Sequence, residues 1–277
     1  MGGLLKNAPA AVVLAIGSVL LAGCATLDRT TGQGWSSYPP GTIVDYQLGA
    51  AYPPPAGVGG VARDSTDRPA PGLYNICYVN GFQTQPGSAN DWLAERRRLV
   101  LTGDDGLPLI DPNWPDELIL DTSTPQRRAD ILATIGLAIT RCAASGFNAV
   151  EIDNLDSYTR SEGKLTLDDA VALATGYAEL AHSLGLAIAQ KNTADLGRDR
   201  VDEIGFDFVI AEECHLFDEC AAYRRVYGDA VIDIEYFDVL RGPFEAACDD
   251  PDAAASTILR DRGLGAPDDP AYVFDRC

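Results

Sequence analysis

Charged side chains stand at or just after the ends of several short apolar runs in this chain. These runs are NAVEIDNLD (148–156), LAIAQKN (186–192), FDFVIAEEC (206–214) and VIDIEYFD (231–238). Where parallel strands form a barrel, their C-terminal ends meet at one rim, and active sites lie at that rim. We therefore expect the following charged residues to share one cleft: Glu151, Asp153, Lys191, Glu212 and Glu235.

Carboxyl groups crowded in this way are suited to acid–base catalysis. Like charges raise one another's pKa, so one carboxyl group can stay protonated near neutral pH while another stays ionised. Cleavage of a glycosidic bond needs an acid to protonate the leaving oxygen and a base or nucleophile on the opposite face. Period-two alternation places Glu151 and Asp153 on the same side of their strand, with Asp153 nearer its C-terminal end. Asp153 is therefore the better catalytic candidate of the two.

Aromatic residues accompany the charged groups at or just after the same runs. They are Tyr46, Tyr78, Trp114, Tyr158, Tyr236 and Phe237. Aromatic faces stack on sugar rings, and their negative quadrupole also attracts ammonium groups. The alternative is that each ring only packs at a strand end with its polar atom in water. The first interpretation predicts a substrate made of sugars, with or without positive charge.

The composition limits the classes of function that are open to the chain. Its 277 residues include 41 Asp plus Glu and 21 Lys plus Arg, which gives a formal charge of −20. This charge excludes a nucleic-acid binder that relies on a basic surface. The acidity either serves solubility alone or attracts a cationic ligand. With 46% hydrophobic residues the chain can build one large core, as a single α/β barrel domain does.

The N-terminal residues have the features of an export signal. Lys6 precedes an apolar run over residues 10–21, which is of signal-peptide length and too short to span a bilayer comfortably. The run leads into Leu21-Ala22-Gly23-Cys24, which resembles a bacterial lipobox, although an ordinary secretory signal with a chance cysteine is the alternative. We expect a signal peptide over 1–23, a lipid-anchored polar tether over 24–34 and one domain over 35–277. Acyl chains on Cys24 would hold a monomer on a bacterial cell membrane, facing the periplasm or the exterior.

Export also changes the interpretation of the cysteines. Besides Cys24 there are six: Cys77, Cys142, Cys214, Cys220, Cys248 and Cys277. An even number in an exported chain indicates disulfide bonds, and six cysteines allow 15 pairings. The pairs Cys214 with Cys220 and Cys248 with Cys277 are preferred, because the first encloses a short loop and the second fastens the C-terminus. A metal site at Cys214, His215 and Cys220 is the alternative, but this spacing matches no standard zinc pattern.

No motif for a metal or a cofactor is found. The chain has no Asp/Asn/Gly loop of the calcium-binding type, no phosphate loop and no dinucleotide fingerprint after a strand. Only two histidines are present, His182 within a predicted helix and His215 beside a cysteine, so no serine has a plausible triad. We therefore expect no metal and no cofactor.

Short β-type runs alternate with helical ones along the chain. Candidate strands are Thr42–Gln47, Val58–Arg63, Leu73–Val79, Leu118–Asp121, Asn148–Asp153, Leu186–Lys191, Phe206–Glu212, Ala230–Glu235 and Ser256–Leu259. Helical spacing is clearest over Ala129–Ser145 and Leu167–Leu184, each followed by glycine and then by a strand. This order predicts parallel βαβ units and a single-domain (β/α)8 TIM barrel. Nine strands for a barrel of eight mean that one of them is wrong.

Six short motifs, taken in order, resemble a known enzyme family. The matching segments are Cys77-Tyr78-Val79-Asn80-Gly81, Trp114 to Asp121, Asp153-Asn154-Leu155-Asp156, Lys191-Asn192, Glu212-Glu213-Cys214 and Glu235-Tyr236. They are similar to the CY-x-S-x-G, W-x-x-E-x-W-L-D-I, DN-x-D, KN, NEQC and EY motifs of glycoside hydrolase family 114. The resemblance runs from Trp35 to Leu259 and implies a (β/α)8 barrel that acts as an endo-α-1,4-polygalactosaminidase.

The resemblance also implies roles for individual residues. It makes Asp153 and Glu212 the catalytic carboxylates. It makes the other polar residues of these motifs substrate contacts: Asn154, Asp156, Lys191, Asn192, Glu235 and Tyr236. The strand-end pattern adds four more candidate substrate contacts: Glu151, Tyr46, Tyr78 and Trp114. The acetylation state of the polymer, the stereochemical outcome and the assignment of acid and base stay open.

This chain departs from the family motifs at several positions. Asn80 stands where the family usually has Ser, Ile152 where Pro is common, Ala211 where Asn is usual and Glu213 where it has Gln. None of these changes removes a catalytic carboxylate, but they leave the exact substrate open.

Two other functions remain to be weighed against hydrolysis. Lys191 at a strand end could form a Schiff base, as in barrel lyases and aldolases, although acidic neighbours would raise its pKa and oppose this. Alternatively, the acidic cleft could belong to a non-catalytic cell-surface module that only holds a cationic glycan.

Overall fold

Nine strands follow one another across a single sheet in the order of the sequence. They are β1 (Val44–Gln47), β2 (Gly60–Asp64), β3 (Tyr74–Asn80), β4 (Ala149–Asp153), β5 (Ala187–Lys191), β6 (Phe208–Glu212), β7 (Val231–Tyr236), β8 (Ser256–Arg260) and β9 (Phe274–Arg276). Strands β1 to β8 pair in parallel, and β9 pairs antiparallel to β8. All C-terminal ends of β1 to β8 therefore lie at one edge.

The computed structural model describes residues 1–2 and 34–277. The predicted signal peptide and Cys24 lie outside the described residues. Gly34–Cys277 form one compact unit. Among the helices of the described part, none is both long and apolar enough to cross a membrane.

Six α-helices lie between the strands from β3 onward. They are α1 (Ala89–Glu95), α2 (Pro125–Ser145), α3 (Leu167–Ser183), α4 (Gly197–Ile204), α5 (Cys220–Tyr227) and α6 (Glu245–Cys248). The two predicted helices correspond to α2 and α3. Helix α2 begins where Thr124 Oγ1 accepts a hydrogen bond from Arg127 N, and it ends at Gly146 with φ 92°. Helix α3 begins with a capping box between Thr166 and Asp169.

The first two crossovers depart from the predicted alternation of strand and helix. Residues 48–59 and 65–73, all of which the structure describes, contain no helix. Pro53, Pro54 and Pro55 account for the first case, because proline lacks the backbone N–H that a helix interior needs. A strict (β/α)8 pattern is therefore not met before β3. The fold is mixed α/β, with a curled and mainly parallel sheet whose strand order is that of a TIM barrel.

The two faces of the sheet are both buried. One apolar cluster lies inside the curl and includes Ile76, Ala149 and Ile210. A second cluster packs the outer face against α2 and α3 and includes Ile131 and Ile188. Burial on both faces explains why these strands have nearly continuous apolar sequences.

One predicted strand is wrong and one strand was missed. Leu118–Asp121 is extended but makes only isolated antiparallel bridges, to Gln83, Val100 and Ile110, within the segment between β3 and α2. It therefore never joins the main sheet. The short edge strand β9, which was not predicted, pairs with β8 instead.

Three disulfide bonds link the six described cysteines. The two predicted pairs, Cys214–Cys220 and Cys248–Cys277, are present, and Cys77–Cys142 joins β3 to α2. Cys214, Cys220 and Asp233 lie close enough to resemble a metal-ligand group. The two sulfurs are bonded to each other, so they are not thiolate ligands, and the alternative of a metal site at this position is not supported.

Candidate active site

Lys191, the last residue of β5, lies at the centre of a cluster of acidic side chains. Its Nζ is 3.1 Å from Glu151 Oε1, 3.5 Å from Asp153 Oδ1 and 3.2 Å from Glu212 Oε2. Nζ also donates to Tyr46 Oη at 3.0 Å, and the Tyr46 hydroxyl donates to Glu151 Oε1 at 2.6 Å. Three of the four carboxylates expected at one rim therefore surround the Lys191 ammonium group.

Strand geometry sets the depth of each carboxylate in this cluster. Glu151 precedes Asp153 by two residues on β4, so the two side chains share a face and Glu151 lies one layer deeper. The Glu151 side chain is 0% exposed, whereas those of Asp153 and Glu212 are 18% and 27% exposed. A substrate can reach Asp153 and Glu212 but not Glu151.

Neighbouring polar groups fix the orientation of Asp153. Its Oδ2 accepts a hydrogen bond from the Tyr78 hydroxyl at 2.7 Å, and its Oδ1 accepts one from the backbone N–H of Asn154 at 2.7 Å. Asn154 has φ 65°, a left-handed conformation that asparagine tolerates better than most residues. This turn directs the Asn154 N–H back at the carboxylate.

Glu212 is held by a matching set of groups on β5 and β7. The Tyr236 hydroxyl donates to Oε1, and Asn192 Nδ2 donates to Oε2 at 3.3 Å. The backbone N–H of Glu212 donates in turn to Asn192 Oδ1 at 2.8 Å. Like Asn154, Asn192 has positive φ, 47°. Both exposed carboxylates thus combine one tyrosine, one asparagine and the shared Lys191.

Electrostatics separates the titration of the buried groups. Burial lowers the pKa of Lys191, but Asp153, Glu212 and the other acidic neighbours raise it by more, so it lies well above its usual value. Burial raises the pKa of Glu212, but the Lys191 charge and the hydrogen bonds from Tyr236 and Asn192 outweigh it and bring this pKa below its usual value. Burial raises the pKa of Glu151 to about 7, against the Lys191 charge. The ammonium is therefore permanently charged, and Glu212 is ionised at neutral pH.

Glu235 does not join the Lys191 cluster, contrary to the expectation from the strand ends. It is fully buried, and its Oε1 accepts a hydrogen bond from His215 N at 2.8 Å. Its neighbour on β7, Asp233, accepts one from Cys214 N at 3.1 Å. Burial raises the pKa of both carboxyl groups. Asp233 and Glu235 together hold the loop that follows Glu212. The position of Glu235 therefore depends on how this loop folds and not only on its place at a strand end.

Two other predicted substrate contacts lie away from the cluster. Asp156 forms an ion pair with Arg160 at 2.8 Å. Trp114 lies in the segment between β3 and α2, and 56% of its surface is exposed. An exposed indole ring is available for stacking on a sugar, but no contact in the described structure joins it to Lys191.

Sequence reasoning missed a second polar cluster beside Asp153. Glu117 Oε2 accepts hydrogen bonds from Asn80 Nδ2 at 2.8 Å and from Asn154 Nδ2 at 3.4 Å. Arg160 Nη2 donates to Asn154 Oδ1 at 3.2 Å. Burial raises the pKa of Glu117 to about 7. The available signal was that Asn80 ends a strand and that Glu117 lies within one of the motif segments.

One family model matches the chain, and solved structures share its fold. Residues 25–277 match the family model of glycoside-hydrolase family GH114. The crystal structure of Aspergillus fumigatus Ega3 in complex with galactosamine superposes with a TM-score of 0.69 at 20% identity, covering 90% of this chain and 100% of that one. The glycoside hydrolase domain of PelA from Pseudomonas aeruginosa gives 0.55 at 16% identity, covering 84% and 98%. At these identities the structures show a shared fold. No curated protein sequence matches the chain.

Proposed function

The chain belongs to glycoside-hydrolase family GH114, and from this premise we propose that it cleaves internal bonds of α-1,4-linked galactosamine polymers. Asp153 and Glu212 are the two catalytic carboxylates in this proposal. The sequence predicts ten substrate contacts: Tyr46, Tyr78, Trp114, Glu151, Asn154, Asp156, Lys191, Asn192, Glu235 and Tyr236. Of these we retain as direct contacts Asn154 and Asn192, which are partly exposed beside Asp153 and Glu212, together with the exposed Trp114. Glu151 and Glu235 act from beneath the site, because both are fully buried.

The observation that carries the proposal is the bridge that Lys191 makes between Asp153 and Glu212. Glycoside hydrolysis needs two carboxylates on opposite sides of the scissile bond, both accessible and both held rigidly. The ammonium group lies within 3.5 Å of an oxygen of each. The ammonium group holds the two carboxylates close together while each stays partly exposed. Its positive charge also stabilises the negative charge on whichever carboxylate is ionised during the reaction.

The same bridge supports a retaining mechanism. Asp153 Oδ1 and Glu212 Oε2 lie 3.5 and 3.2 Å from the same nitrogen, so these two oxygens are at most about 6.7 Å apart. Retaining glycosidases have their carboxyl groups about 5–5.5 Å apart, and inverting ones leave about 6.5–9.5 Å for a water. One carboxylate then attacks the anomeric carbon while the other protonates the leaving oxygen. Water later releases the sugar by attack at the same carbon.

Charge and aromatic surface support an amino-sugar substrate. The chain carries a formal charge of −20, which favours the approach of a polymer whose free amines are protonated. The related Ega3 was crystallised with galactosamine. Exposed Trp114 offers a stacking face for one sugar ring of such a polymer.

The test is release of reducing ends from α-1,4-galactosamine polymers in deacetylated and acetylated form. We expect internal cleavage, seen as a rapid fall in polymer length. We also expect the newly released reducing end to have the α configuration of the substrate before it mutarotates. Asp153→Asn and Glu212→Gln should each lower the rate by at least about 10³-fold. Asp168→Asn, which removes an exposed carboxylate on α3, is the matched control and should keep full activity. Undiminished cleavage by both site variants would refute the assignment.

The two alternatives give different results with the same protein. A binding module would retain the polymer without releasing reducing ends. A Schiff-base enzyme would become covalently labelled at Lys191 when borohydride is added with substrate. We expect no labelling, because the surrounding carboxylates keep the Lys191 ammonium protonated and therefore not nucleophilic.

We also propose that the protein is exported and held on a bacterial membrane as a monomer by a lipid on Cys24. In this proposal residues 1–23 are removed, residues 24–34 are the tether and residues 35–277 are a TIM-barrel domain. The disulfides between described cysteines support an oxidising compartment. Metabolic labelling with a fatty acid should mark the protein and should fail for Cys24→Ser. Labelling that survives this substitution would place the lipid elsewhere.

A further inference from the structure

Glu117 is a nearly buried carboxylate that the proposed mechanism does not use. It is 5% exposed and lies in the segment between β3 and α2. Its Oε2 is occupied by the amide groups of Asn80 and Asn154. Its Oε1 makes no hydrogen bond with the described residues, and it is not among the buried atoms that lack a partner. One oxygen of Glu117 is thus anchored, and the other has no hydrogen-bond partner among the described residues.

This carboxylate lies beside Asp153, the predicted catalytic residue. Asn80 and Asp153 are register partners at the ends of β3 and β4. Asn154 connects the two acids directly, because its backbone N–H donates to Asp153 Oδ1 and its amide Nδ2 donates to Glu117 Oε2. Glu117 is therefore a fixed carboxylate one residue away from Asp153, with Asn154 between them.

The surroundings of Glu117 favour a cation as the missing partner. Burial raises its pKa to about 7, and the charges of Asp153 and Asp111 add to this rise. The Asn80 hydrogen bond and Arg160 oppose the rise without cancelling it. An ionised Glu117 is therefore incompletely compensated in the free protein. A positively charged group at Oε1 would supply the compensation.

We propose that Glu117 binds the free ammonium group of a galactosamine unit next to Asp153, and thereby makes the site selective for deacetylated polymer. This inference rests on the proposed function. An ammonium group offers three donors and a full charge, so it can form a charge-assisted hydrogen bond to Oε1. An N-acetyl group offers one neutral donor and adds bulk, and at this position it would leave the carboxylate uncompensated.

The test compares substrates within each variant. Glu117→Gln keeps the size of the side chain and its ability to accept from the two asparagine amides, but it loses the charge. We expect kcat/KM on the deacetylated polymer to fall about 10- to 100-fold, while kcat/KM on fully acetylated polymer changes by less than about threefold. Glu95→Gln is the control, since it removes an exposed carboxylate from α1 in the same segment, and it should leave both values unchanged. Equal losses on both substrates would mean that Glu117 only supports the fold of the site, and they would overturn the proposal.

A second measurement does not depend on how well the variant folds. Galactosamine carries an amine at C2 where galactose carries a hydroxyl, and they are otherwise the same. The ratio of their inhibition constants therefore reports recognition of the amine over the hydroxyl by the folded fraction alone. We expect the natural protein to prefer galactosamine at least about tenfold and Glu117→Gln to lose this preference. An unchanged ratio in the variant would exclude Glu117 as the amine site. Failure of the proposed function is distinguishable, because the natural protein would then release no reducing ends from either polymer.

Discussion

Arg260 on β8 and Asp45 on β1 form an ion pair in which both side chains are completely buried, with Nη1 2.8 Å from Oδ1. Arg260 also donates to the backbone carbonyl of Tyr46 and, at 2.9 Å, to that of Gly265. Within residues 34–277 no backbone ladder pairs β1 with β8. The guanidinium group therefore joins the first and eighth strands where a ladder would do so in a fully closed barrel. It does so at the backbone carbonyl of Tyr46, whose hydroxyl belongs to the site.

Arg260→Met should destabilise the protein by about 3–5 kcal/mol, because it leaves the Asp45 carboxylate buried without its cation. The double variant with Asp45→Asn should lose less than the sum of the two single variants, since the groups act as a pair. Urea denaturation measures both effects. Arg200→Met, which removes an arginine from surface ion pairs on α4, is the control and should change stability little. Equal effects of the two arginine substitutions would contradict a closing role for Arg260.

Lys191→Met should lower kcat/KM about 10²- to 10³-fold and move the acidic limb of its pH profile to higher pH. The loss follows from removal of a fixed charge between the two carboxylates. The direction of the pH shift follows from Glu212, whose pKa is held below its usual value by Lys191 and would rise without it. Lys164→Met, at a surface ion pair with Asp104, is the control. A lower rate with an unmoved profile would mean that Lys191 acts only as a spacer.

The sequence predicted the parallel strands most clearly where burial on both faces gives a continuous apolar run, as in Val209-Ile210-Ala211. It predicted the meeting of Asp153, Lys191 and Glu212 for a related reason. Parallel strands end at one edge, so residues at their C-terminal ends become neighbours whatever the loops do. Strand ends are local features, and a single sequence is enough to find them.

The features that the sequence did not predict depend on contacts between distant segments. Glu235 also ends a strand, but the loop after Glu212 folds back over it and occupies it with the His215 N–H. Leu118–Asp121 has the composition of a strand, yet its partners are single residues of its own segment. Glu117 reaches Asp153 only because that segment crosses over the end of β3. No local pattern encodes these three placements.

Glu151→Gln should change how stability depends on pH. The pKa of Glu151 is about 7 in the folded protein, raised by burial from about 4.5. Folding therefore favours the protonated form, and this contribution is complete below pH 4.5 and lost as pH rises through 7. The full span is on the order of 3 kcal/mol, because one pKa unit corresponds to about 1.4 kcal/mol.

The difference in free energy of unfolding, Glu151→Gln minus the natural protein, should therefore rise by up to that amount between pH 4.5 and 8. Comparing the two proteins at each pH cancels the titration of groups that do not interact with Glu151. The side chain is fully buried, so solvent does not screen the effect. Glu95→Gln, at an exposed carboxylate, should give no such trend. Parallel stability curves for Glu151→Gln and the natural protein would show that Glu151 stays ionised, held by Lys191.

The three disulfides should differ in their contribution to stability according to the length of chain that each one closes. Their sequence separations are 65 for Cys77–Cys142, 29 for Cys248–Cys277 and 6 for Cys214–Cys220. If loop-closure entropy in the unfolded chain dominates, replacing both cysteines of a pair by alanine should cost about 4, 3.5 and 2.5 kcal/mol, respectively. Urea denaturation of the three double variants gives the ranking.

Activity should not follow the ranking by loop length. Cys214 directly follows the Glu212–Glu213 pair, and its backbone N–H is bonded to buried Asp233. Loss of the Cys214–Cys220 bond should therefore loosen the loop that fixes one catalytic carboxylate and lower kcat more than loss of the other two bonds. Cys248–Cys277 fastens the C-terminus after β9, far along the chain from Asp153, and its removal should leave kcat unchanged. A variant without Cys214–Cys220 that keeps full kcat would show that the Asp233 and Glu235 hydrogen bonds hold this loop on their own.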